Sequence, residues 1–329
     1  MSSSTHPPFS ALPLRKSDPY YSAWGLYGPN DELGTLNHLK DDIVASAASE
    51  IRSGHRISLN WALNALDGKS VVPFFKRQTF HLNIYARDPP RIGIDDVWTF
   101  NSQSSSQWDG LRHAGYHKER LFYNGVTEEQ ILGEGAGSVN GIHNMAKRGI
   151  VGRGVLLDFH RWRLETKPAK FADFDPFKGI GISAQDLHEV AKFQGIEFQP
   201  GDILLYRAGL FEKFEALSSE QKMSITTDTD WKFAGLEQSE EMLKFLWENR
   251  FACVGSDQPA VECFPKQGGP FSLHEVLLAG WGMPLGEFFH LEELASHCKE
   301  MGRYTFFLVS EPCNVIGGAA SPPNVLAIF

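Results

Sequence analysis

The spacing of apolar residues along the chain predicts a mixture of helices and strands. Residues 41–53 place apolar side chains three or four positions apart and stop at Gly54, which is the pattern of an amphipathic helix. The same reasoning predicts further helices at residues 127–132, 183–193, 239–248 and 274–279. Thr127 and Ser183 stand where a hydroxyl group can cap the first turn of a helix.

Continuous or alternating runs of apolar residues predict the strands. These runs lie within residues 55–59, 80–85, 96–100, 154–158, 200–207, 252–255 and 304–310. Because strands and helices intermix without a regular βαβ alternation, the predicted fold class is α/β, with a mixed or antiparallel central sheet and surrounding helices. Residues 1–19 are polar and rich in proline, so we predict a flexible arm there and a single domain at residues 20–329.

Composition and charge narrow the functional classes. Of the 329 residues 42% are hydrophobic and 22% charged, which is ordinary for a globular protein with a large core. The net charge of −9 argues against a nucleic acid or an anionic membrane as partner, since both require a basic surface. No basic segment followed by an apolar run opens the sequence, so we expect neither signal peptide nor membrane anchor, and a cytoplasmic location. The four cysteines lack C-x-x-C spacing and are expected to be reduced and packed in or near the core.

The segment 103–113 contains the strongest candidate chemistry. Asp109 and His113 lie four residues apart in a serine-rich, turn-prone run. An imidazole can transfer protons near neutral pH, and a nearby carboxylate can orient it or bind a metal. We therefore predict these two residues as the catalytic pair, although a surface loop with one aspartate and one histidine is also common.

Five further motifs extend this pattern over most of the chain. They lie at residues 24–37, 122–125, 152–158, 253–262 and 273–287. Together with residues 103–113 they resemble the cyclase family, which includes bacterial kynurenine formamidase and isatin hydrolase. The resemblance covers residues 20–320 and implies a swivelling β/β/α fold, a homodimer or higher homo-oligomer, and a divalent metal such as Zn²⁺ or Mn²⁺.

The resemblance also implies roles for residues of the first motif. In the family this motif reads His-x-Gly-Thr-His-x-Asp and is followed four residues later by a catalytic histidine. Gln103 and Gln107 stand at its two histidines, Asp109 at its ligand aspartate and His113 at its catalytic histidine. Because a neutral amide oxygen is a poor zinc ligand, we expect any metal to be bound weakly or not at all.

His274 and Glu287 match the family's other two ligands, so the implied metal ligands are Asp109, His274 and Glu287. The candidate substrate contacts are Gln103, Gln107, Trp108, Tyr123, Asn124, His143 and Asp257. His143 is equally well explained as an ordinary hydrogen-bonded histidine, and Asp257 as the cap of a turn.

The leading functional hypothesis is a small-molecule enzyme that hydrolyses an amide, lactam or lactone carbonyl, with His113 as general acid–base. The first alternative is a metal-free lyase, isomerase or cyclising enzyme that uses His113 and Asp109 for proton transfer. The second is a catalytically inactive protein that binds a small molecule, since the altered ligand positions favour a loss of the chemistry. A serine hydrolase is disfavoured because the sequence contains no G-x-S-x-G.

Overall fold

The computed structural model describes residues 6–267 and 269–329. In these ranges the α-helices are α1 (Asp41–Ala47), α2 (Glu128–Leu132), α3 (His143–Arg148), α4 (Phe159–Thr166), α5 (Ala184–Gln194), α6 (Leu210–Glu215), α7 (Ser219–Thr227), α8 (Glu240–Glu248) and α9 (Glu292–Met301). A π-helix covers Glu275–Trp281, and short 3-10 helices cover Phe9–Ala11, Gly34–His38, Ala48–Glu50, Phe74–Lys76 and Tyr123–Gly125. The strands are β1 (Arg56–Ser58), β2 (His81–Ala86), β3 (Ile94–Thr99), β4 (Gln107–Asp109), β5 (Ile150–Leu157), β6 (Gly181–Ile182), β7 (Ile203–Tyr206), β8 (Gly235–Leu236), β9 (Cys253–Ser256), β10 (Leu285–Glu287), β11 (Thr305–Ser310), β12 (Ala320–Ser321) and β13 (Val325–Ile328).

A nine-stranded mixed sheet lies at the centre of the described chain. Its strand order is β1-β13-β11-β5-β7-β9-β10-β4-β12. The central strands β5, β7, β9 and β10 run parallel to one another, and the pairs on either side of them are antiparallel. The prediction of an α/β fold with a mixed sheet and surrounding helices is therefore confirmed.

The parallel strands are buried on both faces, so apolar cores form above and below the sheet. Along β7, Leu204 and Tyr206 face one core, whereas Ile203 and Leu205 face the other. The first core includes side chains of α4, α5 and α8, and the second includes side chains of α9 and β11. Two-sided burial explains why β7 appears in the sequence as a continuous apolar run.

Hydroxyl caps begin three of the predicted helices. The side-chain oxygens of Thr127, Ser183 and Ser239 each accept a hydrogen bond from the backbone N–H three residues later, at 3.1–3.2 Å. The predicted helix at residues 41–53 is shorter than expected, because α1 ends at Ala47 and gives way to a 3-10 turn. There the Ser49 hydroxyl donates to the Ser46 carbonyl, a local bond that competes with the α-helical ladder.

Strands β2 and β3 form a separate two-stranded antiparallel hairpin in which every residue is exposed. Leu82 pairs with Trp98, and Ala86 pairs with Ile94, so these side chains share one face with Ile84. An isolated two-stranded hairpin is only marginally stable in water. Its exposed apolar face is therefore an unusual feature of this surface.

The segment before Tyr20 is more ordered than its composition suggests. Phe9 and Leu12 are buried in the core that contains α5 and α8, and the Phe9 N–H donates to Glu248 Oε1 at 2.8 Å. Within the predicted flexible arm at residues 1–19, two apolar side chains thus pack residues 6–19 against the core. Residues 1–5 of that prediction lie outside the described ranges.

Asp257, which directly follows β9, fixes the chain where α6 begins. Its buried carboxylate accepts hydrogen bonds from the backbone N–H groups of Ala208, Gly209 and Leu210, at 2.9, 2.7 and 2.9 Å. These donors have no comparable partner if the carboxylate is removed.

We therefore predict that Asp257→Ala lowers the free energy of unfolding by about 2–4 kcal/mol, because it leaves several buried donors unpaired. Urea denaturation followed by circular dichroism measures this change. Asp257→Asn keeps one acceptor oxygen and should lose less than the alanine variant. A loss below about 1 kcal/mol for Asp257→Ala would contradict this role.

Candidate active site

The floor of the site is built by the antiparallel pair β4 and β10. Gln107 lies opposite Glu287, and Asp109 lies opposite Leu285. Because side chains alternate along a strand, Gln107, Asp109 and Glu287 share one face. Trp108 points to the opposite face, where it is buried and its indole N–H donates to Ser310 Oγ at 2.9 Å. Trp108 therefore lies away from the cavity that His113 lines, although the sequence predicts it as a substrate contact.

The serine-rich segment before β4 is a structural anchor. Ser106 Oγ donates to the Phe288 carbonyl at 2.6 Å and accepts from the Trp61 N–H at 2.7 Å. Ser104 Oγ donates to the Asn101 carbonyl at 2.8 Å, and the hydroxyl of Ser105 is likewise bonded to backbone carbonyls. These bonds hold the loop that carries Gln103, and they leave none of the three hydroxyls free as a nucleophile.

Gln103 lies between the two residues of the predicted catalytic pair. Its side-chain nitrogen is 2.6 Å from Asp109 Oδ1 and 2.6 Å from His113 Nδ1. The other ring nitrogen of His113, Nε2, is 3.6 Å from Asp109 Oδ2. The side chain of Asp109 is fully buried, whereas that of His113 is 25% exposed and lines a cavity.

His274 is held from both sides by carboxylates. Its Nδ1 is 2.6 Å from Glu262 Oε1, and its Nε2 is 3.2 Å from Glu287 Oε1. Glu262 also accepts the backbone N–H groups of Leu273 and His274, at 2.7 and 2.9 Å, just before the π-helix begins. Burial alone would lower the pKa of His274, but the hydrogen bonds and charges of Glu262 and Glu287 raise it well above its ordinary value.

Three buried carboxylates meet in this small volume. Burial raises the pKa of Glu287, and the neighbouring charge of Asp109 raises it further. Burial would also raise the pKa of Glu262, but its bonds to His274 lower it instead. Asp109 Oδ2 and Gln107 Oε1 are buried and have no hydrogen-bond partner among the described residues. Negative charge and unpaired oxygens together favour a cation at this position.

The donor atoms fit a divalent metal. One side-chain ligand atom from each of Asp109, His113 and His274 lies within 4.8 Å of the other two. His274 Nε2 is 3.9 Å from Asp109 Oδ2 and 3.2 Å from Glu287 Oε1. Ligand atoms bound at about 2.1 Å to a tetrahedral ion lie about 3.4 Å apart, so modest shifts would bring these atoms into coordination. Imidazole and carboxylate donors suit Zn²⁺ and Mn²⁺.

Above these groups lies a cavity of about 680 Å³. His113, His274, Glu262 and Glu287 line its base. The remaining walls include both apolar and charged side chains, among them Phe75, Arg77, His117, Phe122, Phe264 and Lys266. This volume accommodates a small organic molecule.

Cys263 also lines the cavity but is not suited to act as a nucleophile. Burial, together with the charges of Glu262 and Glu237, raises the pKa of its thiol to about 12. The group is therefore protonated at neutral pH, and the reactive thiolate is scarce. Cys253 and Cys298 are buried free thiols as predicted, whereas Cys313 is exposed.

Two of the predicted substrate contacts instead support a neighbouring loop. The Tyr123 hydroxyl donates to Asp31 Oδ2 at 2.9 Å, and Asn124 Nδ2 donates to the Asp31 carbonyl at 2.9 Å. Neither residue lines the cavity that contains His113. Tyr123 and Asn124, which match a family motif, thus connect their own segment to the segment that contains Asp31.

His143 and Asp257 are also engaged away from the cavity. His143 is buried, and its Nδ1 accepts from the Gly317 N–H at 3.4 Å. Asp257 holds the backbone N–H groups before α6. We propose neither residue as a substrate ligand, because their polar atoms already serve the fold.

Sequence reasoning missed Glu262 and assigned no function to Arg77. Glu262 lies within a recognised motif, but it contacts His274, twelve positions further along the chain, and no local periodicity predicts this contact. Arg77 donates from Nη1 to the Gln103 carbonyl at 2.6 Å and lies on the cavity wall. Only the folded chain brings these residues to the site.

Comparisons with known proteins agree with this architecture. A family model described as "Putative cyclase" matches residues 32–263. A crystal structure described as a novel cyclase is 30% identical to this chain, with a TM-score of 0.80 over 94% of this chain and 99% of that one. Isatin hydrolase A from Ralstonia solanacearum is 14% identical, with a TM-score of 0.58 over 88% and 98% of the two chains. Isatin hydrolase A from Labrenzia aggregata, bound to benzyl benzoate, is 15% identical, with a TM-score of 0.54 over 89% and 98%.

No curated protein matches the sequence significantly. Within residues 6–267 and 269–329, no helix is both long enough and apolar enough to cross a membrane.

The two glutamines generate a prediction about metal affinity. We expect the parent protein to retain well under one metal per chain after dialysis, because its ligands include no imidazole at positions 103 and 107. The double variant Gln103→His and Gln107→His should bind Zn²⁺ or Mn²⁺ at least tenfold more tightly, on the scale of about ten- to hundredfold known for changes near a metal. Elemental analysis and calorimetric titration measure both quantities.

Gln185→His is a matched control, because Gln185 is exposed on α5 and remote from the cavity. About one tightly held zinc per parent chain would contradict the first expectation. A double variant that binds metal no better than the parent would contradict the second.

Proposed function

Because the chain belongs to the cyclase family, we propose that it is a small-molecule enzyme that hydrolyses an amide, lactam or lactone carbonyl. The proximity of Asp109, His113 and His274, of which the two histidines line a cavity, carries this proposal. The His113 imidazole on the cavity wall can transfer a proton. The His274 imidazole is held by the carboxylates of Glu262 and Glu287. The isatin hydrolases share the fold, and their name agrees with cleavage of a cyclic amide.

Asp109 and His274 are the residues that would hold a divalent metal, with Glu287 beside His274. When bound, such an ion would lower the pKa of a water molecule and supply hydroxide near neutral pH. Glu262 accepts a hydrogen bond from His274 Nδ1–H and thereby orients Nε2 towards Asp109 and Glu287. Gln107 donates to Glu287 Oε2 and restricts the orientation of that carboxylate.

His113 is the proposed general acid–base. It is partly exposed to the cavity, and the Gln103 amide bonds its Nδ1, so its Nε2 is the atom available to exchange a proton with the substrate. The apolar side chains of Phe75, Phe122 and Phe264 on the cavity wall would contact an apolar part of the substrate. Arg77 and Lys266 also line the cavity and would place positive charge beside a polar group of the substrate.

A metal-free proton-transfer enzyme is the second candidate, and a specific observation favours it. The imidazole of His274 has a raised pKa, so a protonated His274 can itself balance the charges of Glu262 and Glu287. Asp109 and His113 could then shuttle protons without an ion. Turnover that survives exhaustive chelation would favour this candidate, whereas its loss and recovery with added Mn²⁺ or Zn²⁺ would favour the hydrolase. An inactive binding protein would show ligand binding but no turnover under either condition.

The role of His113 leads to a kinetic prediction. On a substrate found by screening cyclic imides, lactams, lactones and N-formyl arylamines, His113→Ala should lower kcat by about 10²–10⁴-fold, the usual contribution of a general acid–base. His188→Ala is the control, because His188 is exposed on α5 and does not line the cavity. A thermal melt within a few degrees of the parent establishes that the fold is intact. Near-parental turnover by folded His113→Ala would remove His113 from the mechanism.

We also propose a homodimer or higher homo-oligomer, supported by the exposed apolar face of Leu82, Ile84, Ile94 and Trp98 on the hairpin. A second copy of the chain could cover this face and pair with the free strand edges. Light scattering should give a multiple of the monomer mass, and Trp98→Glu should shift the mass towards the monomer. A monomeric parent would contradict the proposal, and a Trp98→Glu variant that stays oligomeric would show that the hairpin is not the contact.

A further inference from the structure

The turn at Phe74–Lys76, which Arg77 directly follows, has an unusual backbone conformation beside the cavity. Phe75 and Lys76 have φ angles of 59° and 55°. Residues other than glycine seldom adopt such left-handed angles, which persist where the surrounding structure holds them and are concentrated at functional sites. Phe75 and Arg77 both line the cavity that contains His113. The conformation of the turn therefore indicates a function for these two side chains.

Aromatic packing holds the turn in place. Phe74 is buried, and the centroid of its ring is 5.5 Å from that of Phe288. The ring of Phe75 packs edge-on against Trp231, with centroids 4.9 Å apart. Because Phe288 directly follows Glu287 in the chain, these contacts fix the turn relative to the base of the cavity.

Arg77 is oriented at the cavity wall, yet most of its donors make no bond to the protein. Its Nη1 donates to the Gln103 carbonyl at 2.6 Å, and its guanidinium carbon lies 5.0 Å from the centroid of the Phe75 ring. Among the described residues Arg77 forms no ion pair, and its Nε and Nη2 have no hydrogen-bond partner. These two nitrogens form one edge of the planar group, which is the edge that matches a carboxylate.

The carboxylates that line the cavity are engaged by other groups. Glu262 and Glu287 contact His274, at 2.6 and 3.2 Å. Glu275 accepts hydrogen bonds from two backbone N–H groups, both at 2.9 Å. None of these contacts involves Arg77, so its guanidinium group can bind a carboxylate of a ligand through two parallel N–H···O bonds.

The wall around Arg77 combines apolar rings with positive charge. Phe75, Phe122 and Phe264 line the same cavity, and the exposed Lys266 adds a second positive charge. Apolar surface and a cation next to each other are complementary to a ring that carries an acidic substituent. The cavity of about 680 Å³ has room for such a molecule.

We propose that Phe75 and Arg77 form a recognition clamp for aromatic carboxylates, in which Phe75 contacts the ring and Arg77 binds the carboxylate. The carboxylate serves recognition, and the carbonyl that is attacked lies elsewhere on the same molecule. The inference rests on the proposed function for the reaction, whereas binding by the clamp requires no turnover. It narrows the substrate class to amides, lactams and lactones that carry an acidic group on an aromatic ring.

Calorimetric titration with 2-naphthoate and with 2-naphthamide, its neutral analogue, tests the clamp without a substrate. The parent protein should bind 2-naphthoate more tightly than 2-naphthamide. Arg77→Gln should weaken 2-naphthoate binding by about ten- to hundredfold, the usual loss for a hydrogen bond to a charged group, and 2-naphthamide binding by less than about threefold. Arg52→Gln is the matched control, because Arg52 is exposed and does not line the cavity.

Two further variants test the parts of the clamp. Arg77→Lys keeps the charge without the planar pair of donors, so it should lose part of the affinity for 2-naphthoate, and it replaces Arg77→Gln if that variant does not fold. Phe75→Leu should weaken both probes by about two- to tenfold, the range for loss of an aromatic contact. A parent without preference for 2-naphthoate, or folded Arg77 variants with parental affinity for it, would overturn the inference. Parental binding of both probes by Phe75→Leu would remove Phe75 from the clamp.

Kinetics separate the clamp from the proposed function. On a carboxylated aryl lactam, Arg77→Gln should lower kcat/KM by about tenfold or more, mainly through KM, whereas on the uncharged congener the loss should be below about threefold. An equal loss on both congeners would mean that Arg77 acts on the catalytic groups, which would overturn its role in recognition. Binding of 2-naphthoate through Arg77 without turnover of any carbonyl substrate would contradict the proposed function and leave the clamp intact.

Discussion

The burial of three carboxylates around one imidazole is the constraint on which the site depends. Asp109, Glu262 and Glu287 are all removed from water, where an unpaired charge is costly. His274 offsets part of this charge through contacts with Glu262 and Glu287, and backbone N–H groups stabilise Glu262 further. One carboxylate oxygen of Asp109, Oδ2, remains without a hydrogen-bond partner among the described residues.

The residues that bring these buried charges together come from different parts of the chain. Strands β4 and β10 supply Asp109 and Glu287 from the floor, while the residues that precede the π-helix supply His274. Gln103 and Gln107 donate hydrogen bonds to Asp109 and Glu287, so two neutral side chains stabilise these buried carboxylates.

Much of the fold could be predicted from local patterns, whereas part of the site could not. Apolar runs such as β7 and hydroxyl caps such as Ser183 depend on neighbouring residues, so they are visible in the sequence. Residues 107–109 lie in a run that the sequence predicts as turn-prone, and only the strand formed there places Trp108 on the face opposite to its neighbours. Glu262 contacts His274 across twelve positions of the chain, so no local sequence pattern predicts this contact.

The short strand β4 serves the core and the cavity at the same time, because Trp108 packs on one side while Gln107 and Asp109 face the other. Substitutions at the two cavity-facing positions can therefore alter reactivity while the tryptophan keeps the sheet packed. An insertion or deletion of one residue would have a very different effect, since it would exchange the two faces and drive a carboxylate into the apolar core. Evolution along this strand should consequently proceed by replacement of side chains and tolerate almost no change in length.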